Sequence, residues 1–405
     1  MFARPRFNLP CIFLLLFPLT LVAEDTSFTT THFTGSGICS DCHDGLTDSN
    51  GEDVSIVRDW QGSMMANSFK DPFWQARVAI EMKRNPHLTD LILDVCTECH
   101  APMANHEAVG NLTLFGNGGL LDPANPLHDA AMNGVSCTYC HQIEDTAELG
   151  TLAGFSGNAS ISDNKVAYGQ FSNILQQPMI NQTGYTPLYS AHVSDSALCA
   201  TCHNLKTPFV DANGDLASST PESEFPEQMP YTEWEHSIFD DTGSNPASCQ
   251  DCHMPATRSK VSSRPGFLEP KDGFARHEFA GANTVMLTLL RDNAIALDVD
   301  TTNIDENIAL SREMLNHAVS LDIISTELDG DTFEARVRLT NNAGHKTPTS
   351  YPSRRMWLHF RVTDSDNQVV FESGKPMPDG SVTGADNDMD RAVFEPHYDL
   401  ITSPD

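Results

Sequence analysis

A Cys-x-x-Cys-His motif occurs five times in this chain and constrains its fold more than any other feature. The motifs are Cys39/Cys42/His43, Cys96/Cys99/His100, Cys137/Cys140/His141, Cys199/Cys202/His203 and Cys249/Cys252/His253. Given 11 cysteines and 16 histidines in 405 residues, chance would produce such a motif on the order of 0.01 times. The repetition therefore indicates a shared chemistry.

The spacing within the motif suits covalent attachment of haem. Two thiols three positions apart can each add across one haem vinyl group, while the adjacent imidazole supplies the proximal ligand of the iron. Zinc would use the cysteine pairs two at a time, and neither zinc nor a disulfide or thioredoxin-like pair requires the histidine. We therefore predict five covalently attached c-type haems, each held by one motif.

The second axial ligands decide what such haems can do. An iron that only carries electrons has both axial positions filled, whereas an iron that binds substrate keeps one position open. Histidines outside the motifs and before residue 300 are the main candidates, and we assign His87 and His106 among them to the surface. The predicted ligands are His192, His236 and His277, with His128 and His32 as further candidates.

The first 23 residues have the features of a secretory signal. Arg4 and Arg6 precede an apolar run from Cys11 to Val22, and cleavage is expected after Ala23. The run is short for a bilayer span, so a retained anchor is the alternative. The sequence predicts a periplasmic or extracellular bacterial protein with no membrane span after cleavage.

The net charge of the chain limits the kinds of molecule that it can bind. Lys and Arg number 24 against 55 Asp and Glu, which gives a formal net charge of −31. Nucleic acid and anionic membrane surfaces repel such a protein. We expect redox proteins as electron donor and acceptor, and no nucleic-acid partner.

Residue patterns divide the chain in two. Residues 24–300 hold all the motifs and predict a mainly helical and irregular haem domain, with helices over 55–69 and 73–83. Residues 301–319 predict a connecting helix, with Asn303 and Asp305 as possible N-caps. Alternating polarity from 320 to 405, clearest at 333–339 and 356–362, predicts a β-sandwich domain, which we expect to be incomplete at its C-terminus.

Several segments resemble one family. They are 35–39, 60–67, 71–74, 134–137, 233–234, 249–255, 277–283, 344–348 and 352–357. Together they resemble the bacterial multihaem c-type cytochromes related to the tetrahaem cytochrome of ammonia oxidisers. The resemblance implies an exported electron carrier with closely stacked haems and a C-terminal sandwich domain.

The resemblance brings two further residues into consideration as haem ligands. Met65 lies on the helix predicted over 55–69, where methionine usually fills the core, but related cytochromes often have histidine at this place, so Met65 is a candidate thioether ligand. His345 lies in a loop between two predicted strands. It is either a turn residue, which we favour, or a residue that reaches a haem.

The leading hypothesis for function is electron relay between redox partners through closely spaced haems. A multihaem reductase acting on a small nitrogen or sulfur oxyanion at one five-coordinate haem is the alternative. Some resembling families mark such a haem with lysine in place of the motif histidine, and all five motifs here end in histidine. Assembly through the sandwich domain is a third hypothesis.

Overall fold

The computed structural model describes residues 26–217, 220–352 and 354–383. The predicted secretory signal, residues 1–23, lies outside the described residues, as does the predicted sandwich from residue 384 onward. All five motifs and every candidate haem ligand are within the described part of the chain.

The haem region consists of short helices, loops and small sheets. Its helices and those that follow are α1 Ser36–His43, α2 Ile56–Gln61, α3 Pro72–Arg84, α4 Thr89–His100, α5 Pro102–Glu107, α6 His128–Met132, α7 Cys137–Cys140, α8 Gln176–Thr183, α9 Ser196–His203, α10 Pro230–Glu235, α11 Cys249–His253, α12 Thr284–Asp292, α13 Ala294–Leu297 and α14 Ile304–Ala318. The strands are β1 Val166–Gly169, β2 Thr186–Tyr189, β3 Leu205–Thr207, β4 Phe225–Gln228, β5 Ala256–Ser259, β6 Lys271–Ala275, β7 Val319–Asp329, β8 Thr332–Asn341, β9 Phe360–Thr363 and β10 Val369–Ser373.

The helix predicted over 73–83 is confirmed as α3. The Asp71 carboxylate caps it by accepting hydrogen bonds from the backbone N–H groups of Phe73 and Trp74, at 2.8 and 3.3 Å. Pro72 occupies the first turn, where the missing N–H costs nothing.

The helix predicted over 55–69 is correct only for its first part, because α2 ends at Gln61. Asn67 takes over two backbone carbonyls that a continuing helix would use: its amide donates to the carbonyls of Gln61 and Ser63, at 3.2 and 2.8 Å. Gly62 also lies against the carbonyl of Asn303, which a Cβ at this position would approach to 2.5 Å. Met65 therefore lies in a turn segment.

The connecting helix predicted over 301–319 is confirmed as α14. Asn303 stands at its N-cap position, but the side chain makes no capping hydrogen bond and the residue has a left-handed φ of 63°. The predicted side-chain cap at Asn303 is therefore wrong. The left-handed turn at Asn303 places its carbonyl group close to Gly62.

Apolar side chains form several separate clusters between the motifs. The largest packs Trp74 and Val78 of α3 against Leu93 of α4, Met103 of α5 and Tyr139 of α7. These helices carry or flank the second and third motifs, so the cluster fixes those motifs relative to each other.

A buried ion pair joins α2 to the end of β6. Asp59 is fully buried and accepts two hydrogen bonds from Arg276, at 2.6 Å from Nε and 2.9 Å from Nη2. This bidentate contact raises the pKa of Arg276, so its charge is retained. His277 follows directly in the chain, and the pair thus anchors it.

The C-terminal strands form two antiparallel hairpins. β7 pairs with β8 and β9 with β10, each as a two-stranded sheet. Side chains such as Leu321, Ile323, Leu328 and Phe333 are exposed, and no second sheet covers them within the described residues. A β-sandwich is therefore not confirmed. None of the helices in the described part of the chain is long and apolar enough to cross a bilayer.

Candidate haem-binding site

Every motif lies on a short helix. α1, α4, α9 and α11 each end at a motif histidine, and α7 spans the two cysteines of the third motif. Positions three apart in a helix lie on one face, so both thiols of a motif point the same way. Nine of the ten motif cysteines are partly buried and Cys252 is exposed.

The first four motifs line one cavity. It has a volume of about 2220 Å³, and all three haem-binding residues of each of these motifs face it. The fifth motif contributes only Gln250 to the cavity wall in the described residues. Four cofactor positions are therefore continuous with each other, and the fifth lies nearer the surface.

Hydrogen bonds fix the tautomer of four motif histidines. Nδ1 of His43, His100, His141 and His253 donates to the backbone carbonyls of Val261, Ser68, Tyr168 and Ala280, at 2.8, 3.1, 2.6 and 2.7 Å. Because a carbonyl only accepts, Nδ1 carries the proton and Nε2 keeps a lone pair. This is the form in which histidine binds a metal.

Removal from water keeps these imidazoles neutral. Burial lowers the pKa of His100 and of His203 to about 4, because a charged ring loses its hydration. Much of their remaining exposed surface faces the cavity. Trp74 stacks on His100 with ring centres 4.6 Å apart and a 9° interplanar angle, which fixes the plane of that ring.

Two motif histidines each face a second imidazole at the distance expected when one metal ion lies between the two rings. The ring centres of His141 and His277 are 6.3 Å apart with planes 26° from parallel, and those of His253 and His345 are also 6.3 Å apart with planes 13° from parallel. Two imidazoles on opposite sides of one metal, each with a metal–nitrogen distance of about 2 Å, would have ring centres roughly 6 Å apart. The third and fifth motifs thus fit a haem with two histidine ligands.

The opposing rings also have the required tautomer. His277 donates from Nδ1 to the Ala275 carbonyl at 3.0 Å, and His345 donates from Nδ1 to the Lys346 carbonyl at 2.9 Å. Burial, followed by the neighbouring His141, lowers the pKa of His277 to about 3. Both rings therefore keep Nε2 for a metal.

The sequence favours a turn role for His345, whereas the structure places its ring opposite a motif histidine. Its loop is held by Glu233 of α10, whose carboxylate accepts from the Lys346 N–H at 3.0 Å and from the Thr349 hydroxyl at 2.5 Å. Asn341 donates to the His345 carbonyl at 2.7 Å. Only these contacts between distant segments distinguish a ligand loop from an ordinary turn.

The other predicted histidine ligands have varied surroundings. Both ring nitrogens of His32 face carboxylates, those of Glu107 at 3.1 Å and Asp163 at 2.8 Å. His192 donates from Nε2 to the Ile143 carbonyl at 2.8 Å, and its Nδ1 meets the Ser190 hydroxyl at 2.7 Å. In this conformation neither residue offers a free nitrogen, so their ligation stays a prediction.

His128 and His236 retain the ligand tautomer. Their Nδ1 atoms donate to the carbonyls of Leu120 and Thr232, at 2.8 and 2.7 Å. His128 is buried, whereas His236 is exposed. No motif histidine pairs with either ring among the described residues, so both stay predictions.

Met65 lies beside the first motif. Met64 and Met65 both line the cavity. Met65 packs against the cluster of Val57, Trp60 and Ala66, as does Cys39, whereas Met64 packs against the cluster around Leu287 and Leu290. Of the two methionines, Met65 is therefore the one that shares a cluster with a motif cysteine.

Proximity between motif cysteines shows which motifs are neighbours. The side chains of Cys39 and Cys137, of Cys99 and Cys202, and of Cys199 and Cys249 lie close enough to interact. Cys140 also lies within electrostatic range of Cys202. The first motif thus adjoins the third, the third adjoins the fourth, and the fourth adjoins both the second and the fifth.

Comparison with known proteins points to the class of protein that the five motifs predict. Residues 38–142 match the family model described as cytochrome c554 and c-prime. The penta-haem cytochrome c552 from Thermochromatium tepidum has a similar fold, with a TM-score of 0.52 and 18% identity over 87% of this chain and 76% of that one. The family match supports a c-type cytochrome with covalently bound haem and a role in electron transfer, and the structural similarity supports a multihaem fold. A search of curated proteins found no match.

Proposed function

We propose that this protein is an exported pentahaem c-type cytochrome that relays electrons between redox proteins. The observation that carries the proposal is the pair of opposed imidazoles, His141 with His277 and His253 with His345, each 6.3 Å apart. Two filled axial positions favour electron transfer over substrate binding at those haems. When bound, haem c supplies reversible one-electron chemistry at its iron.

The chain's own residues hold and tune the cofactors. The ten motif cysteines would form the thioether links, and the five motif histidines would supply the proximal ligands of the irons. Backbone carbonyls hold the protons of Nδ1 and thereby orient the rings. Apolar residues around the cavity exclude water, which is one means of tuning a haem potential.

The contacts between motifs suggest a branched relay. The order runs from the first motif to the third and then to the fourth, which adjoins both the second and the fifth. The fifth motif, with its exposed Cys252, is the best placed to exchange electrons with a partner protein. A periplasmic or extracellular setting would accord with the predicted signal sequence.

One observation favours the reductase alternative. In the described part of the chain, the imidazoles of His43, His100 and His203 have no second imidazole opposite them at the spacing seen for His141 and His277. Met65 is the candidate second ligand beside the first motif, and an open axial position at any of these three haems would admit a small oxyanion. The carrier and the reductase therefore differ in the coordination of the first, second and fourth haems.

Spectroscopy of the intact protein tests the proposal. We expect a mass that corresponds to five attached haems and reversible reduction of all of them without substrate. Electron paramagnetic resonance of the oxidised form should show low-spin haems. A high-spin haem that binds nitrite, hydroxylamine or carbon monoxide with one-to-one stoichiometry would contradict a pure relay and favour the reductase.

A further inference from the structure

Arg354 is a cation in the haem cavity without a carboxylate partner among the described residues. Its side chain is partly buried and lines the cavity. The guanidinium donates to the Thr349 carbonyl at 3.2 Å and to the Asn283 side-chain oxygen at 2.9 Å. Both acceptors are neutral, and burial lowers the pKa of Arg354 with no opposing carboxylate.

Several other arginines of this acidic chain are paired. Arg276 contacts Asp59 and Glu278, Arg58 contacts Glu306, Arg258 contacts Asp272, and Arg291 contacts Asp305. With 55 acidic residues available, a cation that lines a cavity and avoids them is unusual. Partial burial of an uncompensated charge is unfavourable, so a counter-charge is expected in the cavity itself.

The position of Arg354 points to the fourth motif. Arg354 and His203 line the same cavity, and Arg354 lies within electrostatic range of His203. Asn283, which accepts from Arg354, also lines the cavity, as does Ser350. The guanidinium and the fourth proximal imidazole are thus close enough to influence each other.

We propose that Arg354 binds a carboxylate or a similar oxyanion in the cavity beside the fourth motif, and that this anion is a propionate of the haem held by Cys199, Cys202 and His203. Guanidinium has five N–H donors in a fork that matches carboxylate geometry, and the two neutral contacts leave donors free. The inference rests on the proposed function, since the propionates arrive with the cofactor. A free oxyanion, such as nitrite or sulfite, is the other source of the same chemistry.

Redox titration of the full-length holoprotein tests this inference. Arg354→Gln removes the charge, and Arg355→Gln removes a charge from the next residue, whose guanidinium lies over the Trp357 ring, 5.7 Å from its centre. Loss of a positive charge beside a haem favours its oxidised form. We expect Arg354→Gln to lower one midpoint potential and to make it more dependent on pH, while Arg355→Gln leaves the potentials unchanged.

Arg354→His provides a second variant in case the glutamine variant does not accumulate. An imidazole with an ordinary pKa of about 6.5 would be charged in acid and neutral in base. The affected potential should therefore be near that of the unmodified protein in acid and fall as the pH rises through this range. Potentials that match the unmodified protein at every pH in both variants would overturn the inference.

The source of the anion is tested on the same proteins. Nitrite and sulfite are added separately, and the visible spectrum is recorded for the unmodified protein and for Arg354→Gln. No spectral change supports the propionate. A saturable change that Arg354→Gln abolishes would overturn the propionate in favour of a free oxyanion. Protein with fewer than five haems would contradict the proposed function itself. Five reversible haems whose potentials do not change in the Arg354 variants would contradict only this inference.

Discussion

At the scale of single residues, the tautomer of a histidine separates the ligand candidates. His277 and His345 donate from Nδ1 and keep Nε2 free, whereas His192 donates from Nε2. From the sequence, His192 ranks together with His277 and a turn is favoured for His345, because sequence spacing carries no information on the tautomer. The distinction comes from a backbone carbonyl placed by the fold.

Replacing His277 with alanine should open one haem. Loss of the imidazole opposite His141 would leave the third haem with one protein ligand. We expect one haem to become high-spin and to bind one equivalent of carbon monoxide after reduction, while the other haems keep their spectra. His317→Ala is the matched control, because His317 is exposed on α14 and donates to the Glu313 carbonyl. Identical spectra for both variants, with all haems attached, would show that His277 is not a ligand.

Met65 can be tested against its neighbour Met64. Leucine keeps roughly the volume of methionine and removes the thioether, so each substitution should cost less than about 1.5 kcal/mol of stability. If Met65 is the second ligand of the first haem, Met65→Leu will lower the potential of that haem and admit carbon monoxide, and Met64→Leu will not. Unchanged potentials in Met65→Leu would assign Met65 to packing against the cluster of Val57, Trp60 and Ala66.

At the scale of elements, the buried pair of Asp59 and Arg276 connects α2 with the segment that carries His277. Asp59→Ala leaves a partly buried guanidinium without its main partner, which should cost about 3 to 5 kcal/mol of unfolding free energy. Because Arg276 precedes His277, the spectrum of the third haem should change as well. Denaturant unfolding of the holoprotein measures the first effect.

The control for this prediction is a surface ion pair. Asp272→Ala removes the partner of Arg258, whose contact of 2.6 Å lies at the surface of the β5–β6 hairpin. Exposed pairs contribute little, so this variant should unfold at nearly the same denaturant concentration as the unmodified protein. Equal losses in the two variants would rule out a special role for the buried pair.

The sequence predicts correctly those helices whose boundaries depend on neighbouring residues, and not those that depend on distant contacts. The helix over 73–83 follows from its apolar period, and α3 confirms it; the structure adds Asp71 as its cap and Pro72 in its first turn. The helix over 55–69 fails after Gln61 because Asn67 and the distant Asn303 reshape the chain there. Similarly, His345 acquires its position from Glu233, more than a hundred residues earlier. Contacts of this kind leave no mark in a single sequence.

At the scale of the whole molecule, the net charge of −31 should govern encounters with small redox reagents. A protein of this charge attracts cations and repels anions, and salt reduces both effects as the Debye length falls from about 30 Å at 0.01 M to about 3 Å at 1 M. The direction of the salt dependence is therefore set by the sign of the reagent.

Stopped-flow oxidation of the reduced protein tests this expectation. The rate with hexaammineruthenium(III), a cation, should fall as salt increases, and the rate with ferricyanide, an anion, should rise. Comparing slopes rather than rates removes the difference in driving force between the two reagents. Opposite slopes of the reversed sign would mean that the charge near the site of electron exchange differs from that of the whole molecule, and slopes of the same sign would contradict an electrostatic origin. Opposite slopes of the predicted sign would instead indicate that a positively charged redox protein associates fastest, since the same long-range field acts on small reagents and on protein partners.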